Sequence, residues 1–265
     1  MWVGEQMVGY ARLHASTSVV DVDRVQVEGT VHPEWRRRGI GAVLMQWLIQ
    51  GAAEHHRVTF PEHAGEVRAS TKDTVVGAVQ MLQGLGFEES RYFFDMKVPL
   101  AEPIATPAIP DGLRLVRFDP AYDEATRVAH NAAFLDHWGS TPRDPAAWKS
   151  SVTGSRPFRP EVSFLVLDGD TVAAYALGYE WVADTEATGI RELYVGLVGT
   201  RREYRGRGLA RLALGTVLAE GVQTGYQRAA LGVDADSPTG ALGLYEGLGF
   251  SVHGRSITYR LQLEV

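Results

Sequence analysis

The chain has 265 residues, 45% hydrophobic and 22% charged, a balance that fits a globular protein of one large or two modest domains. A formal charge of −6 argues against nucleic acid as a partner, since duplex binding normally shows a basic footprint, and it is compatible with a cationic amine. The absence of cysteine excludes a disulfide framework, a thiolate nucleophile and a cysteine-based zinc site; with no signal peptide and no apolar run of bilayer length, cytoplasmic residence is the expectation.

In chain order, the first half opens on a strand-like run, Val8-Gly9-Tyr10-Ala11, and reaches Arg36-Arg37-Arg38-Gly39-Ile40-Gly41-Ala42. The spacing of Ile40, Val43, Leu44, Trp47 and Leu48 predicts a helix that buries these five side chains. A Leu85-Gly86-Phe87 turn and a strand over 91–98 follow. Pro99, Pro103, Pro107 and Pro110 then mark a nearly uncharged stretch, expected to act as a semi-rigid spacer.

The second half predicts a strand at 113–118, helices at 122–134 and 145–151, and strands at 162–167 and 171–180 around an Asp168-Gly169-Asp170 hairpin turn. A strand over 189–198 leads to Arg205-Gly206-Arg207-Gly208-Leu209-Ala210-Arg211 and a helix burying Ala210, Ala213, Leu214, Val217 and Leu218. A strand at 228–233 precedes a helix with Ser237 as N-cap and Pro238 at its first position, ended by Gly249, and a last strand over 256–263.

The phrase R-x-x-G-x-(G/A) thus occurs twice, each time after a strand and ahead of a Leu-Gly-Phe turn, with nearly the same spacing. Such a recurrence reads as two copies of a domain rather than a solenoid. The expected division is 1–98, a linker at 99–110, and 111–265. A glycine turn that opens a helix gathers unpaired N–H groups and the positive helix end at one point, which suits a pyrophosphate.

The order strand, Arg-Gly-Arg-Gly-Leu-Ala, helix, then Ala241-x-x-Leu244-Tyr245-x-x-Leu248-Gly249-Phe250 resembles the GCN5-related N-acetyltransferases over nearly all of 111–265. The resemblance implies a mixed α/β, acyl-CoA N-acyltransferase fold in tandem, whose two central strands splay to admit acetyl-CoA. It implies that Leu197, Val198, Gly199 and Thr200 hold the pantetheine and acetyl carbonyl. Arg205, Gly206, Arg207, Gly208, Leu209 and Ala210 would take the pyrophosphate, and Arg36, Gly39 and Gly41 are their first-half counterparts. The tandem layout looks most like the mycothiol synthase branch, through Arg191-Glu192-Leu193-Tyr194-Val195 and Asn131-Ala132-Ala133-Phe134. Two departures, Gly199-Thr200-Arg201-Arg202 for the usual Val-Asp-Pro and Ser237 for an asparagine, argue against mycothiol biosynthesis itself.

Acetyl transfer to an amine needs a base, an oxyanion donor and a proton for the departing thiolate. On the resemblance, Glu192 is the base and Tyr245 the acid, and a main-chain N–H near Val198 meets the oxyanion. Tyr194, on the same strand face as Glu192, is an alternative base, a pocket wall or a core residue. In the loop expected to cover the acceptor, Asp136 is a candidate to hold a cationic amine and Trp138 to stack on it, beside His137. His55-His56 has poor metal geometry, so no metal is expected.

The first half has Leu82 where the second has Tyr245, and only 35 residues precede Arg36, so its opening strand and helices lack counterparts. It is expected to be a truncated or degenerate scaffold. The leading expectation is an acetyl-CoA-dependent N-acetyltransferase acting on a small-molecule primary amine. The alternatives are a protein lysine or N-terminal acetyltransferase and a non-catalytic acetyl-CoA sensor. A dinucleotide-binding dehydrogenase fails because Arg211 replaces the third glycine of that fingerprint.

Overall fold

A computed structural model of the protein describes residues 1–15, 19, 21–102, 104, 106–135, 141–237 and 240–263. In chain order the first half contributes β1 (Trp2–Val3), β2 (Gln6–Met7), β3 (Gly9–His14), β4 (Val22–Val31), α1 (Ile40–Thr59), β5 (Ala64–Lys72), α2 (Val76–Gly84) and β6 (Glu88–Pro99). The second contributes β7 (Leu113–Arg117), α3 (Asp123–Ala133), α4 (Pro145–Trp148), β8 (Phe158–Asp168), β9 (Thr171–Tyr179) and α5 (Val182–Thr188). It continues with β10 (Glu192–Thr200), α6 (Leu209–Gln223), β11 (Arg228–Asp234), α7 (Ala241–Glu246) and β12 (Ser251–Leu263).

Two compact units form, Met1–Phe93 with Gly254–Val265, and Phe94–His253. In the first, β3 runs antiparallel to β4, β4 parallel to β5, and β5 antiparallel to β12 from Lys72↔Ser256 to Gly65↔Leu263. In the second, β7, β8, β9 and β10 are antiparallel neighbours, β10 and β11 are parallel, and β6 lies beside β11. Each sheet therefore takes a strand from the other half of the chain. The units divide at Phe93 and Gly254, whereas the sequence repeat divides at 98 and 111.

The proline stretch is less free than its composition suggested. Leu100 is buried, its N–H donates to the Gln227 carbonyl at 3.0 Å, and its side chain packs where Gly221 leaves room. Hydrophobic burial fastens the start of the linker to the second unit.

The two phrase helices differ in what they bury. Around α6, Leu209, Leu212, Ala213, Leu214, Val217 and Leu218 are buried, while Ala210 is only half-buried because it borders a cleft. On α1 the buried positions are Leu48, Ala52 and His56, with Val43 53% and Trp47 59% exposed, against expectation. One stripe of α1 packs on its sheet, whereas α6 is also covered by Leu100, Tyr226 and the partly buried Ile104.

Other differences are local. The Asp168–Thr171 pairing and Gly169 at φ +56° form the expected tight hairpin turn. Asp144 caps α4 by accepting from the Ala147 N–H at 2.7 Å, but regular helix ends at Trp148 and continues as a π turn over Lys149–Thr153. Helix α5 was not anticipated, and β10 begins at Glu192. The last helix starts at Ala241 with Gly240 as N-cap, not at Ser237; Pro238 lies outside the described residues.

An ionic cluster braces the second unit. Glu180 accepts from Arg191 (3.0 Å), Arg159 (3.2 Å) and the Tyr226 hydroxyl (2.8 Å), and these donors, Arg191 foremost, hold its carboxyl down to about pH 2. Its stabilising contribution is present above the ordinary glutamate value and is lost as pH falls through about 2. Glu180→Gln is expected to lower stability by ~3 kcal/mol at neutral pH and to shrink the acid-induced loss below pH ~4, measured by urea unfolding across pH.

Candidate active site

The site arises from a mismatch between two neighbouring strands. β10 and β11 are registered only from Glu192↔Arg228 to Tyr194↔Ala230, yet β10 runs on to Thr200 and β11 to Asp234. Beyond the pairing, β10 shifts register against β9 between Val195 and Leu197, a bulge at Gly196. Glycine is required there, because a Cβ would come within 2.6 Å of the Tyr179 ring.

At the end of β10 the chain makes a short 3₁₀ turn at Arg202–Tyr204, then passes Gly206 at φ +76° and Gly208 at φ +75° before α6 begins. Among the described residues nothing lies within 4 Å of a Cβ at either glycine, and no side chain caps α6. The first-turn amides of α6 therefore face a cleft of about 430 Å³. One wall is Val198, Gly199 and Thr200; the others come from Ala133 and Phe134 at the end of α3 and from Ala241, Leu244 and Tyr245 of α7. Thr200 is part of this wall, and its hydroxyl is buried with no hydrogen-bond partner among the described residues.

Arg205 has a use the sequence did not suggest. Its Nη2 donates to the Ala133 carbonyl at 2.8 Å and its Nε to the Thr200 carbonyl at 3.4 Å, bracing the end of β10 against α3. Arg207 reaches over the Tyr204 ring at 5.7 Å, and Arg207 and Leu197 are not among the cleft-lining residues. The Asn131 amide brackets Arg143, donating to its carbonyl at 3.0 Å and accepting from its N–H at 2.9 Å. Asp136, His137 and Trp138 lie outside the described residues.

Tyr245 lies on the cleft wall, with Phe250 edge-on at 6.1 Å between ring centroids. Burial pushes its phenol up to about 12, so it holds its proton throughout the working range. Activity is accordingly expected to show no alkaline limb from this group below pH ~11, checked by kcat against pH.

Glu192 and Tyr194 sit away from the cleft wall. The Glu192 carboxylate is held by Lys97 at 3.0 Å and by Arg228 Nε. Tyr194 packs edge-on against Trp181 at 5.3 Å, near Gly232, and its phenol is raised chiefly by burial. The expected catalytic residues are thus split between the cleft, which has Tyr245, and the base of the strand splay, which has Glu192.

The first copy repeats the backbone of the turn. Gly39 has φ +81° and Arg37, where the second copy has Gly206, has φ +62°. Arg36 Nε donates to the Val31 carbonyl at 3.1 Å, as Arg205 does to that of Thr200. The Arg37 guanidinium stands 3.9 Å from a Cβ placed on Gly77, and Met81 stands 3.5 Å from one on Gly41. Both Leu-Gly-Phe turns close their helices alike: Phe87 N–H bonds to Leu82 O and Phe250 N–H to Tyr245 O, with Gly86 and Gly249 at positive φ. This equivalence places Leu82 at the Tyr245 position.

Family models match both halves: the acetyltransferase (GNAT) family over residues 125–250 and the acetyltransferase (GNAT) domain over residues 1–89. A mycothiol acetyltransferase of Thermobispora bispora is 30% identical over 98% of this chain and 82% of its own length. The chain belongs to the GCN5-related N-acetyltransferase family. A mycothiol acetyltransferase of Streptomyces avermitilis is 32% identical, over 98% of this chain and 78% of its own. Among solved structures, a GCN5-related N-acetyltransferase from Sphaerobacter thermophilus superposes with a TM-score of 0.75 at 28% identity, over 97% of this chain and 78% of that one. A tandem GNAT protein from the clavulanic acid biosynthesis pathway shares the fold, with a TM-score of 0.70 at 18% identity over 100% and 82%.

This GNAT protein is therefore an acetyl-CoA-dependent N-acetyltransferase built from two family domains in tandem. Among the described residues no helix is long and apolar enough to cross a membrane, and no group of three metal-binding side chains gathers. Phe134, Tyr204, Ala241 and Leu244 are cleft residues that sequence reasoning did not single out as site residues. Phe134 stood in the Asn131–Phe134 segment, and Ala241 and Leu244 in the same motif as Tyr245, whereas Tyr204 carried no signal.

Proposed function

We propose that the second unit transfers the acetyl group of acetyl-CoA to a primary amine of a small molecule. The cleft suits the donor: open backbone at Gly206 and Gly208, and amides at the start of α6 that no described side chain caps. Acetyl-CoA supplies an activated thioester. The amides around Gly208 bind its pyrophosphate, the main chain of Val198–Thr200 orients the pantetheine arm, and Arg205 acts by holding that strand in place.

Tyr245 delivers the proton that the departing thiolate needs, and its place on the cleft wall carries the reading. Glu192 removes the ammonium proton through water, since its carboxylate is not on the wall. Glu192→Gln is then expected to lower kcat/KM ~10- to 100-fold while leaving acetyl-CoA affinity within twofold, measured by steady-state kinetics and calorimetry. In the first unit, Leu82 replaces the acid, so chemistry is assigned to the second unit alone.

Support for a small-molecule acceptor comes from relatives named mycothiol acetyltransferase. The differences at Gly199–Arg202 and Ser237 separate this chain from that branch's motif. Thiol release from acetyl-CoA across a panel of amines, with thermal shift by acetyl-CoA as binding control, tests the proposal. Release with at least one small amine is expected. Stabilisation with no release from any small amine or peptide would favour a sensor, and release with peptides alone a protein acetyltransferase.

A further inference from the structure

The back of the strand that faces the cleft is held by two buried side chains. Tyr175 on β9 is the register partner of Gly199 on β10. A Cβ on Gly199 would lie 2.5 Å from the Tyr175 hydroxyl and 2.6 Å from its ring, so the ring rests directly on the Gly199 α-carbon. The hydroxyl meets His130 Nδ1 of α3 at 2.7 Å, and both residues are buried. His130 is itself packed between the rings of Phe134 (4.6 Å) and Trp148 (5.2 Å). The Trp148 indole N–H donates to Asp123 at 2.7 Å, which fixes that ring as well.

We propose that His130 and Tyr175 are positioning residues for the acetyl donor: their hydrogen bond sets where the main chain of Val198–Thr200 stands in the cleft. The proposal rests on the reading that this cleft takes acetyl-CoA. Gly199 has no side chain to wedge it, so its position normal to the sheet follows the Tyr175 ring. Among the described residues that ring is oriented by a single polar contact, its hydroxyl's bond to His130. Losing the bond removes what fixes the buried ring, and the ring and the Gly199 backbone shift together. Phe134 lines the cleft and packs on His130, so the same change loosens a second wall.

The contact affects the pantetheine strand and not the glycine turn, which gives the test its selectivity. Calorimetric titrations of the full chain would compare wild type, Tyr175→Phe, His130→Leu and His130→Gln, using acetyl-CoA and adenosine 3′,5′-bisphosphate, which lacks the pantetheine arm. The expected result is a ~5- to 20-fold loss of acetyl-CoA affinity in Tyr175→Phe and His130→Leu. Affinity for the bisphosphate should stay within twofold. His130→Gln, whose amide can still bond the hydroxyl, should recover most of the loss and serves as the test if the leucine variant fails to fold. Lower melting temperatures with unchanged acetyl-CoA affinity, or equal losses for both ligands, would overturn the proposal as a mere core effect. Failure of wild type to bind acetyl-CoA would remove the cleft reading first, and this inference with it.

Discussion

Tyr245→Phe is expected to lower kcat by ~10²-fold or more while acetyl-CoA affinity stays within twofold. The phenol lies on the cleft wall and only its hydroxyl is removed, so the packing of its ring against Phe250 persists. A phenol raised to about 12 is a weak acid, and in the proposed mechanism its value would lie in being protonated and already desolvated where the thiolate develops. The measurement is single-turnover kinetics at saturating donor, with affinity read by calorimetry. A loss confined to affinity would assign Tyr245 a packing role.

Gly199→Ala is expected to weaken acetyl-CoA binding ~100-fold and to cost ~2–3 kcal/mol of stability. The added methyl has no space, because the fully buried Tyr175 ring occupies it at 2.5–2.6 Å. Either the ring leaves His130 or β10 moves into the cleft, and both outcomes disturb the wall. Gly206→Ala provides the contrast. Among the described residues nothing lies within 4 Å of that Cβ, so the positive φ is what opposes it, at ~1–2 kcal/mol. Titration of acetyl-CoA into both variants, with urea unfolding alongside, separates collision from backbone strain.

The parts of the fold written in short-range chemistry were legible in the sequence. The two glycine turns, the Asp168–Asp170 hairpin turn, the Leu85–Phe87 turn and the helix end at Gly249 each follow from a residue suited to a particular backbone conformation. The strand splay was foreseen from family resemblance, not from any periodicity. What the sequence concealed is non-local. Periodicity marks Val43 and Trp47 as one face of α1 but cannot say that both stay more than half exposed. The exchange of β6 and β12 depends on pairings between distant segments, and the fixed place of Leu100 depends on Gly221 and Gln227.

The site divided along the same line. Gly206 and Gly208 were readable because the repeated phrase marks them, and Val198, Gly199, Thr200 and Tyr245 through the family resemblance; all line one cleft. Glu192 was readable as a type of residue, but its ion pairs with Lys97 and Arg228 come from two other strands. Arg205 was readable from the phrase and lines the cleft, but its bonds to the carbonyls of Ala133 and Thr200 were not.

The account depends most on the amides around Gly208 as the grip on the donor's diphosphate. Calorimetric comparison of acetyl-CoA with S-acetylpantetheine, which keeps the thioester and lacks the nucleotide and diphosphate, measures that grip in the unaltered protein. Binding of acetyl-CoA tighter by ~100-fold or more is the predicted result. Equal affinities for the two would contradict it.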